Sequence, residues 1–65
     1  MIQLNNNGQF LFINKSSVEA VEIVWFEDTE RWNFCVYTNI HTYTLITTNY
    51  NDIKDWLKLL EIKYE

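Results

Sequence analysis

Sixty-five residues, 48% hydrophobic and 17% aromatic, make one small domain, and nine acids against five bases leave a net charge of −4. A single cysteine excludes an internal disulfide, and one cysteine with one histidine cannot build a structural zinc site. A chain this short buries only about 60% of its unfolded surface, so good packing or a partner must supply what cross-links do not.

The first local signal is Asn7-Gly8, the favoured pair for a type I′ hairpin turn. Folding about it sets Leu4 opposite Leu11 and Ile2 opposite Ile13, and turns Phe10 and Phe12 to the other face. Asn14-Lys15-Ser16-Ser17 breaks the alternation. A long strand follows from Glu19 to Glu27, a polar loop at Asp28-Thr29-Glu30-Arg31, and a strand from Trp32 to Thr38. With that loop Trp25 faces Phe34 and Ile23 faces Val36. Asn39-Ile40-His41-Thr42 forms the next turn, with Ile40 poorly suited to positive φ, and Tyr43 to Thr48 is the last strand. Asn49 reads as a helix N-cap with Asp52 as a capping-box-like acid. Ile53, Trp56, Leu57, Leu60 and Tyr64 then follow the spacing of one buried helical stripe.

The expected architecture is α+β: an antiparallel β-meander of four to five strands with one C-terminal helix packed on one face. It forms a single domain over 1–65, divided into an N-terminal hairpin (1–14), a meander (19–48) and a helix (49–64). Val21, Ile23, Trp25, Phe34, Val36, Tyr43 and Leu45 should lie under Ile53, Trp56, Leu57 and Leu60. The opposite face should carry Val24, Phe26, Cys35 and Tyr37. That second apolar face is a surplus, because a sheet with one wet face normally alternates more cleanly. Another protein surface, or the N-terminal hairpin folding back over it, would account for the excess.

The spacing Met1-Ile2-x-Leu4, Gly8-x-Phe10, Asn14, Val18 and Val21-Glu22 resembles small bacterial β-meander proteins such as the FlbD family of flagellar regulators. The resemblance spans the first 23 residues, and the acidic run Glu27 to Arg31 and the three tryptophans depart from it. It carries over no function and no site residue.

Catalytic chemistry finds little support. Cys35 and His41 are the one conventional nucleophile and base, with no third orienting group at a defined spacing. Glu19, Glu22, Glu27, Asp28 and Glu30 cluster on one strand and its loop but lack the ligand pattern and glycine of a calcium loop. No cofactor or metal is expected, and no enzyme. Stacking platforms for single-stranded nucleic acid need a basic groove beside their aromatics, and Lys54, Lys58 and Lys63 alternate with acids instead, so direct nucleic-acid binding is not expected. No run approaches the roughly 20 apolar residues of a membrane span. Met1 to Asn7 lacks the basic and apolar regions of a leader, and with a free thiol the expected location is cytoplasmic.

These features point to a small acidic, non-enzymatic protein-binding module. Its partner surface would be Glu22, Val24, Phe26, Glu27, Asp28, Glu30, Cys35 and Tyr37, occupying a basic surface of the kind that binds nucleic acid. Eight asparagines and four lysines against one arginine suggest AT-rich coding. A phage or mobile-element inhibitor of a host protein, for example an anti-CRISPR protein, fits that character. The alternative is a homodimeric structural or regulatory subunit.

Overall fold

The computed structural model describes residues 1–62. Five strands and one helix follow in chain order: β1 (Ile2–Asn6), β2 (Gln9–Ile13), β3 (Val18–Phe26), β4 (Arg31–Thr38), β5 (Thr42–Thr47) and α1 (Tyr50–Leu59). A single 3-10 turn, Lys15–Ser17, joins β2 to β3 and is capped by the Asn14 side chain. All strand pairs are antiparallel and the class is α+β, but the strands do not form one continuous meander. β1 and β2 make a separate two-stranded sheet, and β3-β4-β5 make a three-stranded one.

The turn at Asn7-Gly8 has φ of 50° and 85° at the two residues, the left-handed pair that a type I′ turn requires. It fixes the register Leu4↔Leu11 and Ile2↔Ile13. Leu4 and Ile13 then enter the same core as Phe34, Val36, Leu45, Ile53, Trp56, Leu57 and Leu60. The hairpin therefore shares the covered face with the helix and does not fold over the opposite one. The Trp56 Nε1–H donates to the Asn5 carbonyl at 3.1 Å, and the Trp56 ring packs on Phe34 with centroids 5.4 Å apart. One indole thus ties helix, hairpin and sheet together.

The β3–β4 register is shifted by two residues from the expected one: Trp25 pairs with Trp32, Ile23 with Phe34 and Val21 with Val36. The loop begins one residue earlier, at Glu27, and Arg31 belongs to β4. Glu30 makes this closure feasible by taking φ of 54°, a conformation that non-glycine residues adopt at a penalty. At the next turn Ile40 needs no positive φ. The loop narrows to Asn39-Ile40-His41, and the Thr38 hydroxyl accepts from the N–H groups of Ile40 and His41 at 3.3 and 3.0 Å.

The helix begins as expected, with the Asn49 side chain accepting from the Asn51 N–H at 3.0 Å. Asp52 does not close a capping box with Asn49. Its carboxylate accepts instead from the buried Thr47 hydroxyl at 2.6 Å, and that hydroxyl oxygen takes the Asn49 N–H at 3.0 Å. At the other end the helix stops at Leu59, short of the expected 64. Glu61 adopts φ of 56°, the Glu61 N–H bonds the Lys58 carbonyl, and the Ile62 N–H bonds the Leu57 carbonyl. This is a Schellman termination, complete with Ile62 packed on the core. Tyr64, expected on the buried stripe, lies outside the described residues. A Lys15–Glu61 ion pair links the 3-10 turn to this helix end.

Candidate functional site: the open sheet face and acidic loop

Alternation along β3, β4 and β5 divides their side chains between two faces. The covered face holds Val21, Ile23, Trp32, Phe34, Val36, Tyr43, Leu45 and Thr47 against helix and hairpin. The opposite face is built of cross-strand rows: Ala20, Tyr37 and Thr42; Glu22, Cys35 and Thr44; Val24, Asn33 and Ile46; then Phe26 with Arg31. No described element packs over these rows. Phe26 and Ile46 remain 46% and 40% exposed there, whereas Val24, Cys35 and Tyr37 are half-buried by their neighbours within the sheet.

Five of the eight residues expected at a partner surface, Glu22, Val24, Phe26, Cys35 and Tyr37, share the open face, and the other three, Glu27, Asp28 and Glu30, lie in the loop at its end. Two of the eight interact directly: the Tyr37 hydroxyl donates to the Glu22 carboxylate at 2.9 Å. That hydrogen bond, with smaller contributions from desolvation and from the negative fields of Glu22 and Cys35, raises the Tyr37 phenol above its ordinary value. Among the described residues, Glu27, Asp28 and Glu30 have no ion-pair partner; the Lys15–Glu61 pair lies elsewhere. Arg31 sits directly across from Phe26, so one cation interrupts the acidic rim.

The expectation at this face overlooked Ile46, Asn33 and Thr44. Their signal was present, because once Tyr43 and Leu45 face inward, Thr44 and Ile46 must face outward. The aromatic surplus divides differently from its appearance in sequence. Trp25 packs at a tilt against Trp32 and Trp32 against Tyr50, each pair with centroids 4.8 Å apart, so this ladder lies on the covered side. Trp25, at its outer end, stays 44% exposed. Phe10 and Phe12, on the outer face of the hairpin, are 55% and 60% exposed.

Cys35 and His41 are not brought together. The Cys35 sulfur lies 3.8 Å from the Thr44 hydroxyl on the open face. The His41 ring meets Tyr43 edge-on at 4.6 Å, on the covered side. Two clefts, about 410 and 290 Å³, lie where the hairpin approaches β5; the first is lined by Asn6, Asn7, Gln9 and Arg31 with Ile46–Thr48, the second by Gln9–Leu11 with Tyr43–Leu45. Among the described residues no three His, Cys, Asp or Glu side chains cluster as metal ligands, and no helix is long and apolar enough to cross a membrane.

No protein-family model, curated protein or solved structure matches this chain.

Proposed function

We propose that the protein is a small acidic, non-enzymatic binding module whose working surface is the open face of β3-β4-β5 together with the Glu27–Glu30 loop. One observation carries this reading: Phe26 and Ile46 stand exposed on a face that no described element covers, and four carboxylates, Glu22, Glu27, Asp28 and Glu30, border it. Exposed aromatics make effective interface centres, and a rim of one sign selects and accelerates encounter with a partner of the other. The fitting partner is a protein with a basic surface around an apolar depression. Surfaces that handle nucleic acid have that character, so inhibition of such a protein, as by a phage anti-CRISPR, is the role this module would serve.

The test is affinity capture from host lysate with two altered baits, followed by a salt series on whatever wild type retains. Neutralising the rim (Glu22→Gln, Glu27→Gln, Asp28→Asn, Glu30→Gln) should release the partner and flatten its salt dependence. Phe26→Ser should release it while leaving the salt dependence of residual binding in place. Retention of the same protein by the neutralised bait, with the same salt response, would rule out the charge-based mechanism.

A further inference from the structure

The hairpin of β1 and β2 presents one stripe of side chains to the body of the protein, and the chemistry of that stripe changes at the tip. Ile2, Leu4, Leu11 and Ile13 pack in or against the core. Asn6 and Gln9, paired with one another at the last step before the turn, continue the stripe by alternation. Two carboxamides thus stand where apolar side chains would close the gap to β5. The gap stays open as the larger of the two clefts, about 410 Å³, which lies within the usual range for a small-molecule site.

Across the cleft from the hairpin stand Arg31, Ile46 and Thr48. Arg31 lies one step beyond the last β4–β5 pair, Trp32↔Thr47, and Asn7, left-handed at the turn, completes the rim. The polar side chains here have no protein partner. Among the described residues, no hydrogen bond engages the side chain of Asn6, Asn7, Gln9, Arg31 or Thr48. The Arg31 guanidinium forms no ion pair with them either, although Glu27, Asp28 and Glu30 all belong to the adjoining loop. No carboxylate, imidazole or thiol lines the cleft, so it offers one positive charge among neutral donors.

We infer that this cleft binds a small organic monocarboxylate, with the carboxylate on the Arg31 guanidinium and the apolar body over Ile46. A guanidinium takes a carboxylate through two parallel N–H···O bonds, and the carboxamides of the hairpin tip supply donors for the remaining lone pairs. The charge of the ligand follows from its surroundings. One guanidinium matches one negative charge. The loop acids repel a phosphate dianion about twice as strongly as a monoanion, in a chain whose net charge is already −4. A cation would meet Arg31 itself, and a metal ion would find no anionic ligand in the lining. The inference does not rest on the protein partner proposed for the open face, because the ligand needs this chain alone.

The experiment is a titration of nitrogen-15-labelled protein with sodium benzoate from about 0.1 to 50 mM, a range that brackets millimolar binding. Backbone and side-chain N–H shifts are followed at neutral pH and constant ionic strength. Saturable shifts should centre on Asn6, Asn7, Gln9, Arg31 and Thr48. Benzamide, the neutral counterpart of the same size, should bind about tenfold or more weakly, and benzoate should lose as much on Arg31→Gln, whose own spectrum reports its fold. Inorganic phosphate should not reproduce the pattern. An absence of saturable shifts, or shifts centred elsewhere, overturns the inference. So does benzamide binding as tightly as benzoate, an arm that needs no variant, and so does phosphate binding as tightly, which would mark a general anion site. Failure to capture a protein partner on the open face leaves this titration unaffected, so the two readings fail separately.

Discussion

Replacing Thr47 by valine removes one hydroxyl from the joint between β5 and α1 and changes almost nothing else. The side chain is 4% exposed, and valine has nearly its shape, so no cavity term enters. The lost hydroxyl is the one that donates to the Asp52 carboxylate at 2.6 Å and accepts the Asn49 N–H at 3.0 Å. A hydrogen bond to a charged group is worth about 1.5–3 kcal/mol, and the Asn49 N–H, nearer solvent, can turn to water. The expected loss is therefore about 2 kcal/mol, against a total of about 3–10 kcal/mol for a domain of this length. In thermal terms that is a fall of about 10 °C. Urea unfolding followed by tryptophan fluorescence measures it, with Thr47→Ser as the control that keeps the hydroxyl. A double-mutant cycle with Asp52→Ala should return a coupling of about 1 kcal/mol or more. A Thr47→Val loss below about 0.5 kcal/mol, or a serine variant as weak as the valine one, would refute this account of the joint.

Three further outcomes are expected. Trp56→Phe keeps the ring on Phe34 but removes the donor to Asn5, so amides of β1 and β2 should exchange hydrogen faster by about tenfold relative to those of β4, from about 1 kcal/mol of lost docking; uniform acceleration across both sheets would mean that the hairpin is not separately held. Glu30→Gly relieves the left-handed backbone strain and should raise stability by about 1 kcal/mol in the same urea assay, while removing one acid of the rim; a loss of stability would show that the loop depends on the glutamate side chain. For Tyr37 the sign follows from its raised phenol: the neutral, donating form is favoured in the folded chain, so its contribution is present below the ordinary phenol value of 10.0 and is lost as pH rises through the elevated folded one. Ultraviolet titration should show one phenol ionising late, absent in Tyr37→Phe and moved back toward the ordinary value by Glu22→Gln; a titration unchanged by Glu22→Gln would show that the carboxylate is not the cause.

Much of this fold is legible in the chain because its strands alternate and its turns are local. Asn7-Gly8 specifies the first hairpin outright, and Asn49 marks the helix start. The features that escape sequence reading depend on single backbone conformations or on tertiary choice. Glu30 entering the left-handed region moves the loop boundary and shifts the β3–β4 register by two residues, and nothing about a glutamate announces that. Glu61 ends the helix the same way, where a glycine would have signalled the stop. The hairpin could have covered either side of the sheet, since Leu4 and Phe10 are both apolar; the indole of Trp56 reaching Asn5 decides it. At the candidate site, β3 and β4 show their outward residues plainly, while Ile46 is masked by threonines on both sides of the Leu45-Ile46 pair.

The left-handed glutamates have a consequence for how this protein can change. Glutamate and glycine codons differ at their middle base alone, so at both Glu30 and Glu61 the strain-relieving replacement is one point mutation away. Together the two sites hold a stabilising reserve of about 2 kcal/mol, before subtracting the small worth of the exposed Lys15–Glu61 pair. That is enough to offset a typical destabilising substitution elsewhere. The open face could therefore be rebuilt residue by residue to suit a new partner, with the fold supported first by Glu61→Gly, which lies away from that surface, and then by Glu30→Gly where the new partner does not need that acid.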